Sequence, residues 1–275
     1  LKDITLGQFF PGNSFLHKLD PRCKLLLVVF FIVSLFVAKN AAGYGLMLAV
    51  LLICILASKV GFKAILRGMK PIFFIVVFTA VLNLLYTPGT GTPLVEFWIF
   101  HIYWEGVRTA IFKIYSEGVW AAVYMILRIA MLITCTFLLT YTTSPILLTD
   151  ALESLLGPLK TLHMPIHELA MMMSIALRFI PTLIEETDKI MAAQKARGAD
   201  FESGGLVQKA KVPLFVSAFR RADELAVAME CRCYHGGEGR TRMRQLKYAF
   251  RDYIALTLGL GLCAAVFYLN TLGIF

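Results

Sequence analysis

The sequence predicts an all-α membrane protein: about five transmembrane helices plus three cytoplasmic helices, the two longest crossing each other. Three observations lead there. Of 275 residues, 58% are hydrophobic and only 16% charged, with a mean hydropathy of +0.72. A soluble domain is about 45–50% apolar and about 25% charged. Five apolar runs approach the ~20 residues that a spanning helix needs. Between the fourth and fifth runs, two long stretches place apolar residues in alternate steps of three and four, the mark of helices with a narrow packing seam.

The runs are "CKLLLVVFFIVSLFVA" (23–38), "GYGLMLAVLLICILASKV" (43–60), "PIFFIVVFTAVLNLLY" (71–86), "VWAAVYMILRIAMLITCTFLLTY" (119–141) and "DYIALTLGLGLCAAVFYLN" (252–270). The first and third are short, so tilt or a partly interfacial course is expected of them. Asp20-Pro21-Arg22 precedes the first run and reads as a helix start, Asp as N-cap and Pro at the first helical position, with Arg22 and Lys24 reaching headgroups. No cleavable signal peptide is expected, because the segment before Cys23 is polar.

A net charge of +9 could mean nucleic acid, but its placement favours positive-inside loops. Lys2, Lys18, Arg22 and Lys24 precede the first run, and Lys59, Lys63, Arg67 and Lys70 lie between the second and third. The opposite side has Lys39 in a short turn, and a loop (87–118) where Arg108 and Lys113 face Glu96, Glu105 and Glu117. The bias predicts a cytoplasmic N-terminus and an extracellular C-terminus. It divides the chain into a membrane region of about four spans (1–142), a cytoplasmic helical region (143–247) and a last transmembrane helix (248–275).

Within 143–247, "SPILLTDALESLLGPLKTL" (144–162) reads as a short amphipathic helix. Pro165 opens a long one, about 50 Å over 165–197. Its seam is Leu169, Met173, Ala176, Ile180, Leu183, Thr187 and Ile190; a kink is expected at Pro181 and an end at Gly198. After a turn at "ESGG" (202–205), a second seam runs through Val212, Phe215, Phe219, Ala222, Ala226, Met229 and Cys233. The seams are expected to face each other, with "EETDK" and "RRADE" on the outer faces. Both helices end in an arginine between small residues: Ala196-Arg197-Gly198 and Cys231-Arg232-Cys233.

The second end, "MECRCYHGGEGRTR" (229–242), admits three chemistries. Zinc would use Cys231, Cys233 and His235, but a structural site takes four ligands, and cysteines two apart on a helix point about 200° apart. The other cysteines (Cys23, Cys54, Cys135 and Cys263) lie in apolar runs and supply no second half. A phosphate loop needs G-x-x-x-x-G-K-[ST] after a strand, and none is present. The basic run Arg240, Arg242, Arg244 and Lys247 adjoins the last span and reads as an anchor to anionic lipid rather than a nucleic-acid patch. What remains is Arg232 as a projecting contact, twinned with Arg197.

"PGNSFLHKLDPRCK" (11–24), "TTSPILLTDALESLLGPLKTL" (142–162), "ALRFIPTLIEETDKIMAAQKARGAD" (176–200) and "AMECRCYHGGEGRTR" (228–242) together resemble the transmembrane T component of energy-coupling factor (ECF) transporters, ABC-type bacterial importers of vitamins and metal ions. The resemblance covers nearly the whole chain. It implies a non-catalytic coupling subunit that joins two cytoplasmic ATPases to a membrane-embedded substrate-binding S subunit, with the three cytoplasmic helices as coupling helices. It implies that Ala196, Arg197 and Gly198 dock on one ATPase and Cys231, Arg232 and Cys233 on the other. No cofactor is implied for this chain; ATP and Mg²⁺ belong to the ATPases. The second motif departs from the family's Ala-Arg-Gly, so its left-handed helix end is expected to pass to Gly236.

Met171 and Met172, within "AMMMS" (170–174), read as packing or as an adaptable S-subunit contact, since methionine-rich surfaces suit several partners. Arg128, inside the fourth run, would cost about 2.5–3.5 kcal/mol at mid-bilayer, so it is expected to be paired. Arg178, Glu185 and Glu186 read as solvated or internally paired. An intramembrane enzyme would need catalytic groups at one depth, and no run has an interior Asp or Glu. A secondary transporter would show internal repeats and broken helices, and neither is visible.

Overall fold

Asp20 begins the first helix as the sequence indicates. Its carboxylate accepts from the N–H of Arg22, and Pro21 takes the first helical position, where its missing N–H removes nothing. The computed structural model describes residues 12–86, 95–97, 112–114, 116–158, 165–198, 205–236, 246 and 248–271. Among them are eight helices: α1 (Pro21–Val37), α2 (Ala41–Ser58), α3 (Phe62–Tyr86), α4 (Ser116–Thr142), α5 (Pro145–Leu156), α6 (Ile166–Ala196), α7 (Gly205–Glu230) and α8 (Phe250–Thr271). A short antiparallel ladder, β1 (Val95–Phe97) with β2 (Phe112–Ile114), lies in the 87–118 loop, where none was expected. The basic run at 240–247 and most of the 202–205 turn lie outside the described residues.

The chain forms two compact units, one within Phe10–Thr142 and Tyr248–Phe275, the other within Thr143–Lys247. In the first, α1 packs on α8 and α4, α2 on α4 and α8, and α3 on α4. Its core holds Phe31, Leu35, Tyr44, Met47, Met131 and Val266. Gly68 lets α3 approach α4, since a Cβ there would stand 2.8 Å from the Phe137 ring. The outward faces are apolar as well, with Phe73, Phe74, Leu56 and Phe267 exposed. Such a surface is stable in lipid and a liability in water.

Among the described residues five helices are long and apolar enough to cross a membrane: Ala41–Ser58, Ala64–Leu84, Gly118–Thr142, Ile166–Ala196 and Phe250–Thr271. This set differs from the sequence reading at two places. α1 has 17 residues, at the lower limit for a span, yet it shares the first unit's core and exposes Val29, Val33 and Phe36. α6 meets the criterion but is the least apolar of the five and exposes Glu185, Asp188 and Lys189. α3 also starts nine residues before the expected 71, with Pro71 inside it. A proline removes one hydrogen bond but does not stop a helix held by packing on a neighbour.

Arg128 has its partner at the α1–α2 turn. Its Nη2 donates to the Tyr44 hydroxyl, and its guanidinium lies 5.7 Å from the Phe36 ring centroid and 5.8 Å from that of Tyr44. Tyr44 stacks on Tyr124. Phe36 lies in the last turn of α1 and Tyr44 in the first turn of α2, so Arg128 is level with the helix ends rather than with mid-membrane. α4 is ten residues longer than α1 and carries the arginine up to that turn. Cation–π contact and one hydroxyl then replace a carboxylate.

Lys24 does not reach headgroups. It is buried, and its Nζ donates to the carbonyl of Thr142 (3.0 Å), the last residue of α4. Beside it, Asp252 is 2% exposed and accepts from the N–H of Asp20 (2.9 Å) and of Ala249 (2.7 Å). Each charge is at the helix end whose dipole favours it, carboxylates at the starts of α1 and α8 and the ammonium at the end of α4. Replacing Asp252 by Ala orphans two N–H groups and is expected to cost on the order of 3 kcal/mol. Asp252→Asn keeps one acceptor and should lose less. Thermal unfolding of the detergent-solubilised protein reads the difference; equal melting points for all three would refute the clamp.

Candidate functional site

The ends of α6 and α7 form the same backbone device. At α6 the chain closes with Arg197 as C-cap, and Gly198, with φ +78°, donates its N–H to the Lys195 carbonyl (2.9 Å). A left-handed residue directly after the cap turns the chain out of the helix and satisfies a late carbonyl. At α7 the regular helix stops at Glu230. The N–H of Cys233 donates to the Glu230 carbonyl (2.8 Å) and that of Tyr234 to the Met229 carbonyl (3.1 Å). These two bonds define a Schellman closure, with Arg232 in the cap position.

Cys233 itself takes the left-handed conformation, with φ +58°. Gly236 is also left-handed (φ +93°) but lies past the closure, so the expected transfer of the role to Gly236 is corrected. A non-glycine residue there is strained by about 1–2 kcal/mol. The His235 ring Nδ1 donates to the Cys233 carbonyl (2.8 Å) and helps hold the turn. Cys231 and Cys233 are therefore in a turn, not in helix, and the 200° argument against zinc does not apply to them. Among the described residues no group of three or more His, Cys, Asp or Glu is placed to hold a metal ion.

Arg197 and Arg232 are exposed, as are Ala196, Gly198, Cys231 and Cys233. Among the described residues neither arginine makes an ion pair. Each unit of positive charge is thus presented on a stiff rod; α6 alone runs 31 residues, about 47 Å.

The seams behave differently from expectation. α6 and α7 pack on each other, but the stripe of Val212, Phe215 and Phe219 is exposed, 62–69% in each case. The face of α7 that is covered contains Leu214, Ser217, Ala218, Arg221 and Leu225. Arg221 donates to Glu186 of α6 at 2.9 Å, so charges placed on the outer faces by the sequence meet between the helices. On α6, Ile180, Leu183, Thr187 and Ile190 are partly covered, whereas Leu169, Met173 and Ala176 are exposed. Pro181 lies where the covered half meets the exposed half, inside a continuous helix. α5 is capped by Ser144 and tied to α6 by a 2.9 Å hydrogen bond between His167 and Glu153. Of the two singled-out methionines, Met172 is 55% exposed and Met171 is partly covered; Met173 joins Met172 on the open face.

Residues 12–243 match the family model described as "Cobalt transport protein". The chain is 55% identical to the energy-coupling factor transporter transmembrane protein EcfT of Clostridium kluyveri, over 97% of this chain and 94% of the relative. It is 49% identical to that of Thermosediminibacter oceani, over 96% of each, and 45% identical to that of Bacillus subtilis, over 98% and 99%. The chain belongs to the family of energy-coupling factor transporter transmembrane proteins.

Family membership and the apolar helices together make it a multi-pass membrane component of a transporter. What sequence reasoning missed was the Lys24–Thr142–Asp252 cluster. Its signal was faint: one lysine and one aspartate at the edges of apolar runs, each explicable as a boundary residue. For the α7 end, replacing Cys233 by Gly should relieve the left-handed strain by about 1 kcal/mol. Hydrogen exchange at the Tyr234 amide is then expected to slow, and Cys233→Val to speed it. Unchanged or faster exchange in the glycine variant would contradict the assigned strain.

Proposed function

We propose that this chain is the transmembrane coupling subunit of an ECF-type ABC importer, transmitting ATP-driven motion of a cytoplasmic ATPase pair to an S subunit for vitamin uptake. The observation that carries the reading is the repeated helix end: an exposed arginine in the cap position, followed by a left-handed residue, on two helices packed together. A guanidinium fork can hold a carboxylate or several carbonyls in a protein groove, which a lysine does less well. On this reading Ala196-Arg197-Gly198 seats in one ATPase and Cys231-Arg232-Cys233 in the other. Closure of the ATPases on ATP moves both seats, and packed rods carry the displacement as rigid bodies. ATP and Mg²⁺ stay in the partner chains.

The exposed Met172 and Met173, with Leu169, form one adaptable stripe that suits one S subunit or several interchangeable ones. The vitamin is held by the S subunit. Co-purification of the assembled transporter tests these roles together. Arg197→Ala or Arg232→Ala should weaken ATPase retention, and the double variant should lose the ATPases or the coupling of hydrolysis to uptake. Full retention and uptake by the double variant would sink the docking reading. Met172→Ala with Met173→Ala should lose S subunits unequally if the stripe is a contact; uniform loss with an unstable protein would show packing instead.

The orientation proposed has the N-terminus in the cytoplasm and the C-terminus outside the bacterial cell membrane. The basic residues around α1 and between α2 and α3 support it. A reporter enzyme active only outside the cytoplasm, fused after Phe275, should be active; activity of the same reporter fused before Leu1 would reverse the topology.

A further inference from the structure

We propose that the cleft among α1, α2, α4 and α8 is a site for one acyl chain of an anionic phospholipid. An apolar cavity of about 720 Å³ lies between these helices, walled by Leu27, Phe31, Val50, Cys135 and Leu262. Its origin is in the packing. α1 and α2 are joined by a short turn at 38–40 yet touch each other little, while both pack on α4 and α8. Neighbours that meet at one end and part toward the other leave a wedge. The wedge is not filled by side chains: Gly261 lines it, and a Cβ there would have no heavy atom within 4 Å.

Water does not settle in an apolar void, and an empty one forfeits dispersion contacts along its walls. In a bilayer the apolar filler at hand is an acyl chain. Polarity orients it. Lys24 and Thr142 line the cavity at the end where α1 begins and α4 stops. Thr257, elsewhere in the wall, spends its hydroxyl on the Ile254 carbonyl. Phe15 and Leu16 line the cavity beside the same end, and the segment that carries them brings the exposed Lys18 and the half-buried Arg22. Arg22 Nε is buried without a hydrogen-bond partner. The local carboxylates, Asp20 and Asp252, are engaged with backbone N–H groups. The charges offered to an incoming phosphate are therefore the exposed Lys18 and the Arg22 guanidinium, whose Nε has no hydrogen-bond partner.

The test uses the full chain in vesicles containing phosphatidylglycerol with a diazirine halfway along one acyl chain. After photolysis, adducts should concentrate on peptides carrying Leu27, Val50 and Leu262, and excess unlabelled phosphatidylglycerol should abolish them. Labelling of the outward Phe73 and Phe74 of α3 should be weaker and should not respond to that competitor. Gly261→Leu, which fills open space, should lose the cavity adducts alone. Lys18→Gln, at an exposed position, should lose the preference for phosphatidylglycerol over phosphatidylcholine while keeping the labelled positions. The proposal fails if labelling and competition are the same on α3 as in the cleft, or if oleate competes as well as phosphatidylglycerol does. It also fails if Gly261→Leu, folded by its melting point, labels like the wild type.

Discussion

The ammonium of Lys24 on the carbonyl of Thr142 is the contact on which the membrane unit depends. Burying a lysine is costly unless its charge is compensated, and here compensation comes from three helix ends at once. Asp20 opens α1, Asp252 opens α8, and Thr142 closes α4. The carboxylates stand at the starts of α1 and α8, and the ammonium reaches the end of α4, placements that the dipoles of those helices favour. In chain order these are also the points of passage. Thr142 is the last residue before the three-helix segment, and Asp252 follows closely on the return. A buried polar cluster is more directional than apolar packing, because its members must keep angle as well as distance. The helices that begin and end there are thereby set in register.

The ends of α6 and α7 show how one backbone outcome is reached from unlike sequences. Gly198 enters the left-handed region without steric cost, whereas Cys233 pays strain there, offset by the two Schellman bonds and by the His235 ring on its own carbonyl. The arginine precedes the left-handed residue in both. It therefore leaves each helix at the same point of the turn, with small neighbours on either side.

Legibility differed by kind of signal. Helix existence was readable because it rests on apolar runs and on proline and aspartate at starts: α1 begins at Pro21 behind Asp20, and α6 ends where Gly198 permits. The family was readable from several motifs in order. Contacts between distant residues were not. Nothing in "MILRIAM" reveals that Arg128 meets Tyr44 and Phe36, because that depends on how far α4 extends past the turn of α1 and α2. The start of α3 was missed because Pro71 is a local breaker that tertiary packing on α4 overrides.

The seams teach a further distinction. A periodic apolar stripe states that a helix face is to be covered, but not by which surface. On α7 the most apolar stripe, Val212 to Phe219, lies open, and the covered face includes a serine and an arginine paired with Glu186. An ion pair with its side chains only partly exposed specifies angle and register between two rods more narrowly than an apolar ridge does. Using it for the internal contact leaves the large apolar side chains available. An exposed patch of several phenylalanines and valines is the kind of surface that is a liability in water. It stands on the same unit as Arg197 and Arg232, which are exposed and, among the described residues, make no ion pair.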